Sequence, residues 1–287
     1  MTEVLDARTG VGAVTLKVAD LDAMTDYYAR GVGLTVQEQL GDRVTLGRSG
    51  VAAVVLEHTP LLRHAPASAA GLFHTALLFD EQADLASSVY SVARAFPTSF
   101  TGSADHLVSK ALYFDDPEGN GVELYWDRPR SEWAWSGGQV QMASLALDPN
   151  AFIQENITEQ GVAAPGAGGA EVGHVHLKVG DIATARRFYV DTVGFEVTTA
   201  FGEQALFVSA GGYHHHLGMN TWQSRGAGPR TPALGLGQVA LRLPHADALG
   251  ALADRLRTAG VPLQDDGREL AFSDPWRNAV RALVTDA

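Results

Sequence analysis

A stretch near the start of this chain is written again 161 residues later, and no other feature constrains its folding as tightly. Gly12-Ala-Val-Thr-Leu-Lys-Val18 corresponds to Gly173-His-Val-His-Leu-Lys-Val179, and the same displacement pairs Asp20 with Asp181, Tyr28 with Tyr189, Gly33 with Gly194 and Val36 with Val197. A register held without a gap over more than twenty residues marks a duplicated structural unit. Each copy opens on alternating apolar residues (Val14, Leu16, Val18), the period of a strand. Asp20-Leu-Asp22 then supplies capping carboxylates for a helix that carries paired aromatics, Tyr27-Tyr28 or Phe188-Tyr189, and stops at a glycine. Three short strands follow, near 34–40, 43–47 and 52–57 in the first copy, so the unit reads βαβββ.

Two further stretches share this plan. One runs from Leu72-Phe-His-Thr-Ala-Leu-Leu-Phe79 to Asp116-Pro-Glu-Gly-Asn-Gly-Val-Glu-Leu-Tyr125, the other from Gly237-Gln-Val-Ala-Leu-Arg-Leu243 to Asp274-Pro-Trp-Arg-Asn-Ala-Val-Arg-Ala-Leu283. Their closing turns match, Asp116-Pro117 with Asp274-Pro275 and Asn120 with Asn278. Leu249, Leu252 and Leu256 mark the last helix, with Gly260 as its stop. The expected organisation is an α+β chain of four tandem βαβββ modules, with modules one and two in 1–130, a linker over 131–171 and modules three and four in 172–287. The linker ends in Ala163-Ala-Pro-Gly-Ala-Gly-Gly-Ala170, a flexible composition.

Composition removes whole classes of function. The formal charge of −12 repels phosphate backbones and anionic lipid, so nucleic acid and membrane are not expected partners. There is no cysteine, hence no disulfide, thiolate metal site or cysteine nucleophile. Met1-Thr2-Glu3-Val4-Leu5-Asp6 lacks the basic-then-apolar pattern of a secretory leader, and a cytoplasmic protein is the expectation.

Four βαβββ units in tandem resemble the vicinal-oxygen-chelate superfamily, which holds glyoxalase I, bleomycin-resistance proteins and extradiol dioxygenases. Asp105-His-Leu-Val-Ser-Lys-Ala-Leu-Tyr113, Gly119-Asn-Gly-Val-Glu-Leu-Tyr125 and Gly212-Tyr-His-His-His-Leu-Gly-Met-Asn-Thr-Trp222 are similar to its bacterial catechol-2,3-dioxygenase branch. The resemblance spans nearly the whole chain. It implies modules paired into half-open, barrel-like cups, with metal ligands early in a module's first strand and in its last strand. Module two offers His74 and Glu123 at those places; module three offers His174 and, by alignment, His216. Module one offers Ala13 and, in its last strand, the Val54-to-Glu57 stretch, and module four offers Gln238 and Arg281; an alanine cannot bind metal and an arginine would repel it. The implied metal set is therefore His74, His174 and Glu123, two histidines and a carboxylate as in facial Fe(II) sites. Modules two and three are expected to share one cup and modules one and four the other.

The resemblance also implies roles around that set. Tyr113 stands ten residues before Glu123, where extradiol enzymes place a phenol that donates to the bound substrate. His106 resembles a histidine next to the ligand sphere. His216 is read either as a fourth ligand or as an acid–base group, with His214 beside it; strand alternation would set His214 and His216 on one face and His215 on the other. Phe207, Tyr213 and Trp222, with Trp126, are read as lining for an aromatic ring. The implied activity is extradiol cleavage of a catechol-type diol by O2 with Fe(II), or Mn(II). Two alternatives stay open: a glyoxalase I-type isomerase with Ni or Zn, and a metal-free binder like the bleomycin-resistance proteins. Association into a homo-oligomer is a further expectation.

Overall fold

The computed structural model describes residues 4–285; Met1, Thr2 and Glu3, part of the segment read for a leader, lie outside them. Module one comprises β1 (Gly10–Val18), α1 (Leu21–Asp26), β2 (Thr35–Leu40), β3 (Arg43–Arg48) and β4 (Val51–His58). Module two comprises β5 (Gly71–Phe79), α2 (Gln82–Ala95), β6 (Phe100–Asp105), β7 (Ser109–Asp115) and β8 (Gly121–Asp127). The long connection carries a two-stranded hairpin, β9 (Trp135–Ser136) and β10 (Gln139–Val140), and two short helices, α3 (Pro149–Asn156) and α4 (Glu159–Ala163). Module three has β11 (Ala170–Lys178), α5 (Ile182–Arg186), β12 (Glu196–Phe201), β13 (Ala205–Ser209) and β14 (Leu217–Asn220). Module four has β15 (Gly235–Leu243), α6 (Ala246–Thr258), β16 (Leu263–Asp265), β17 (Glu269–Ser273) and β18 (Ala279–Val284).

These strands form two eight-stranded sheets. One has the order β12-β13-β14-β11-β5-β8-β7-β6, joining modules three and two; the other has the order β16-β17-β18-β15-β1-β4-β3-β2, joining modules four and one. Both are curled half-barrels of the vicinal-oxygen-chelate type, built as the repeat implied. No helix among the described residues is long and apolar enough to cross a membrane.

The duplication extends to details of the backbone. Asp20 accepts from the Ala23 amide, and Asp181 from those of Ala183 and Thr184, so the equivalent carboxylates cap equivalent helices. Both helices then widen into a turn of π-helix, Tyr27–Gly31 and Arg187–Thr192, closed by bonds from Val32 to Tyr27 and from Val193 to Phe188. Gly33 and Gly194 follow at φ 79° and 98°, a left-handed conformation that glycine adopts without a Cβ penalty.

The chain forms two compact units, 15–62 with 74–173, and 1–14 with 63–73 and 174–287. Inside the first, the Tyr28 hydroxyl donates to Asp116 Oδ2 at 3.1 Å, and Tyr27 meets Phe96 edge-on at 5.0 Å. Inside the second, Tyr189 donates to Asp274 Oδ2 at 3.0 Å. The two repeat-related tyrosines thus reach the two repeat-related turn aspartates. Burial pushes the Asp116 carboxyl up to about 6, and raises Asp274 in the same direction. Arg48, buried in the first unit, donates to the carbonyls of Val32, Gly33, Pro165 and Gly168, which fastens the glycine-rich end of the connection.

Candidate metal centre and its surroundings

In module two the site is set by strand register. β5 and β8 run parallel with Ala76 beside Glu123, and β8 runs antiparallel to β7 with Glu123 directly opposite Tyr113. Residues so paired share a face. His74, Ala76, Glu123 and Tyr113 therefore project together, over an apolar floor that includes Ala76, Ala111 and Tyr125. His74 Nε2 lies 2.9 Å from Glu123 Oε2, and both side chains are buried. Tyr113 is hydrogen-bonded to Glu123; burial first, then the charge of Glu123, hold its phenol well above the ordinary range. Behind it, His106 Nε2 stands 2.6 Å from the Tyr113 hydroxyl, while His106 Nδ1 stands 2.7 Å from the Ala143 carbonyl. A carbonyl only accepts, so Nδ1 carries the proton, and the single hydrogen of the phenol lies between two acceptors, His106 Nε2 and the Glu123 carboxylate. Leu107, at φ 70°, makes the tight turn that presents His106.

In module three the histidines gather around His174. His176 is on the same face of β11, two residues on. The His215 ring centroid is 4.1 Å from that of His174, and the His214 centroid is 5.9 Å away. His214 Nδ1 and His215 Nδ1 approach to 2.7 Å, so one donates and the other accepts. The strand β14 begins only at Leu217, so the 213–216 stretch is a turn, and the alternation expected there does not apply: His214 and His215 both face His174. His215 was not singled out from sequence; a run of three histidines gives no sign of which one the turn directs inward.

His216 is displaced from its expected place. β11 pairs with β14 in parallel, His176 beside Gly218, just as Ala76 lies beside Glu123 in module two. The position equivalent to Glu123 is therefore Gly218, and His216 falls two residues short of it. His216 Nδ1 instead accepts from the Ala210 amide at 3.1 Å, and its ring stacks against Tyr213 at 5.0 Å, which fixes the turn. Tyr213 also stacks on His214 at 4.1 Å. Phe207 lies against His176 and His215, and Trp222 against His176 and Phe73. Trp126 has the opposite strand parity from Glu123 on β8 and so faces away from this group, contrary to the lining expected of it.

The ligating atoms of His74, Glu123 and His174 all lie within 4.8 Å of one another, and all three side chains are buried. Among the described residues they are the one group of three or more such side chains placed to share an ion. Two imidazole nitrogens and a carboxylate oxygen suit a first-row divalent cation, so the donor chemistry fits. At the matching position of module four, Arg281 is ion-paired with Glu269 on β17. A guanidinium there carries the wrong charge for a ligand.

Comparison with known proteins places this geometry in a family. The model of the Glyoxalase/Bleomycin resistance protein/Dioxygenase superfamily matches residues 10–124 and 171–281. The chain belongs to that superfamily. A superfamily relative, a catechol-2,3-dioxygenase of Bacillus subtilis (strain 168), is 35% identical over 282 residues, covering 96% of this chain and 97% of the relative. Solved structures with the superfamily fold include glyoxalase I from Zea mays (TM-score 0.57, 16% identity, 96% of this chain and 92% of that one). The CppA protein from Streptococcus pneumoniae TIGR4 is also similar (TM-score 0.61, 12% identity, 99% of this chain and all of that one).

Proposed function

We propose that the protein is an extradiol dioxygenase that opens a catechol-type ring beside its two hydroxyls. The reading is carried by the pairing of Tyr113 with Glu123 inside a buried two-histidine, one-carboxylate set. His74, Glu123 and His174 would hold Fe(II), with Mn(II) as the alternative. When bound, such an ion lowers the pKa of coordinated hydroxyls and brings diol and dioxygen together.

The remaining work falls to side chains. Tyr113, kept protonated by its surroundings, donates its hydroxyl hydrogen; with substrate present that donation can turn from Glu123 and His106 to a substrate oxygen, where charge develops. His106 orients the phenol from behind. The His214–His215 pair holds one proton between its Nδ1 atoms and can take up or return another, the office expected of His214 and His216 from sequence. His216 is assigned to holding the turn that carries this pair. Phe207, Tyr213 and Trp222 supply aromatic surface, and their packing limits water. Both oxygen atoms of O2 enter the ring-opened product, so no external reductant is required. The protein is proposed to act as a cytoplasmic enzyme on a small aromatic diol.

The test is anaerobic reconstitution with Fe(II), followed by a panel of catechols with an oxygen electrode and the visible absorbance of a yellow semialdehyde. One O2 consumed per ring opened, with both atoms of labelled oxygen retained, is the expected result. Absence of oxygen uptake with every catechol, together with conversion of a glutathione hemithioacetal by the Ni- or Zn-loaded protein, would replace this reading with the isomerase.

A further inference from the structure

We infer that His176 seats the aromatic ring of the substrate, as a wall residue of the cup and not as a metal ligand; the inference rests on the ring-cleavage reading above. Two residues along a strand span about 6.6 Å, so His176 stands roughly one aromatic ring beyond His174 on the same face. Its orientation is fixed from below. Asn220, fully buried, accepts from the Trp222 amide at Oδ1 (3.2 Å), which turns its Nδ2 toward His176 Nε2 at 3.1 Å. An amide nitrogen only donates, so Nε2 accepts and the ring's hydrogen is on Nδ1. With Nε2 committed to Asn220, the ring is poorly set to ligate through that nitrogen.

Its environment is that of a ring-binding surface. Phe73, Phe207 and Trp222 meet the imidazole at centroid distances of 5.1, 5.5 and 5.5 Å. Trp222 is 53% exposed while His176 is 3% exposed, so the aromatic cluster reaches solvent at the tryptophan and is covered at the histidine. Flat π faces with positive edges favour another flat ring over a flexible thiol conjugate.

The partner across the sheet supports a role beyond filling space. A Cβ added at Gly218 would come within 3.0 Å of His176 Cγ and 3.2 Å of its Nδ1. The imidazole lies over the backbone at the register place where module two carries its carboxylate, above Ala76. Module three has thus exchanged a ligand position for an aromatic one. A side chain gained at 218 would press on the imidazole of His176 and oblige it to shift by a few tenths of an ångström.

The experiment compares wild type, His176→Ala and Gly218→Ala, the second pushing the imidazole from behind without removing it. Each is measured for iron per chain, thermal midpoint, anaerobic binding of 4-nitrocatechol from its visible spectrum, and kcat and KM with catechol. The expected result is unchanged iron content, a nitrocatechol Kd weakened at least tenfold in His176→Ala and severalfold in Gly218→Ala, and a larger effect on KM than on kcat. Equal nitrocatechol binding in both variants overturns the inference and leaves the dioxygenase reading intact. Loss of iron in His176→Ala also overturns it, by making His176 a ligand. If iron-loaded wild type binds no nitrocatechol, the reading beneath the inference fails first. Should His176→Ala not fold, Gly218→Ala decides alone on the same readouts.

Discussion

Tyr113 and Glu123 are direct partners across the antiparallel pair β7–β8, so a spacing of ten residues in sequence becomes a hydrogen bond in space. The turn between the strands, 116–120, sets this register through Asp116, which accepts from the backbone amides of Glu118 and Asn120.

Tyr113→Phe removes the donor while keeping the ring over its apolar floor. Under the proposed function, iron content should be unchanged, and kcat should fall by roughly one to three orders of magnitude, the range seen when a donor to developing charge is lost. Single-turnover kinetics with catechol check it. A variant with wild-type kcat would remove Tyr113 from the chemistry.

Glu123→Ala and His74→Ala should each lower metal binding by far more than Tyr113→Phe, since both would delete donors from the set. Titration of the apoprotein with Mn(II), followed by paramagnetic resonance of the free ion, measures this without any turnover. Tight stoichiometric binding in both variants would show the ion to be held elsewhere.

The buried turn aspartate predicts a pH dependence of stability. The folded Asp116 carboxyl is raised to about 6 from an ordinary 3.8, so the unfolded chain gives up this proton first. Its contribution is greatest below the unfolded value and is lost as pH rises through about 6, with a span of roughly 3 kcal/mol at 1.36 kcal/mol per pH unit. Asp116→Asn should flatten that part of the curve. Urea midpoints at pH 4, 5, 6 and 7 for both proteins decide it; parallel curves count against it.

Arg48→Met should uncouple the end of the connection from module one. The carbonyls of Gly33, Pro165 and Gly168 lose the Arg48 donor, while that of Val32 keeps its bond from the Ser88 hydroxyl. A loss of about 2–4 kcal/mol is expected, from carbonyls left buried without donors. Limited proteolysis should then cut 163–170 sooner than in wild type. Equal cleavage rates would assign the order of that segment to other contacts.

The architecture was legible because it is repeated: a displacement of 161 residues is visible without structure, and ligand-poor residues at Ala13 and Arg281 separated the modules into two kinds. The sheet orders follow that separation. The miss at His216 has a local cause. Glu123 lies 49 residues beyond His74, whereas the equivalent place lies 44 beyond His174, and the difference is absorbed in loops whose lengths no strand pattern reports. Gly218 offers no side chain to draw the eye. Trp126 and the 214–216 run misled in opposite ways: alternation was disregarded where it held, on β8, and applied where the backbone is a turn.

The contrast between Ala76–Glu123 and His176–Gly218 also bears on how such a chain can change. Each pair couples a small residue to a large one across neighbouring strands, with the sizes reversed. A carboxylate gained at 218 alone would crowd the imidazole, and an alanine gained at 176 alone would open a void. Neither single step is neutral, although the double replacement reproduces a pairing the molecule already carries in its other copy. Two substitutions that are each harmful and jointly tolerated make a valley between a three-ligand and a four-ligand centre, so mutational libraries that vary one position at a time would not find the crossing.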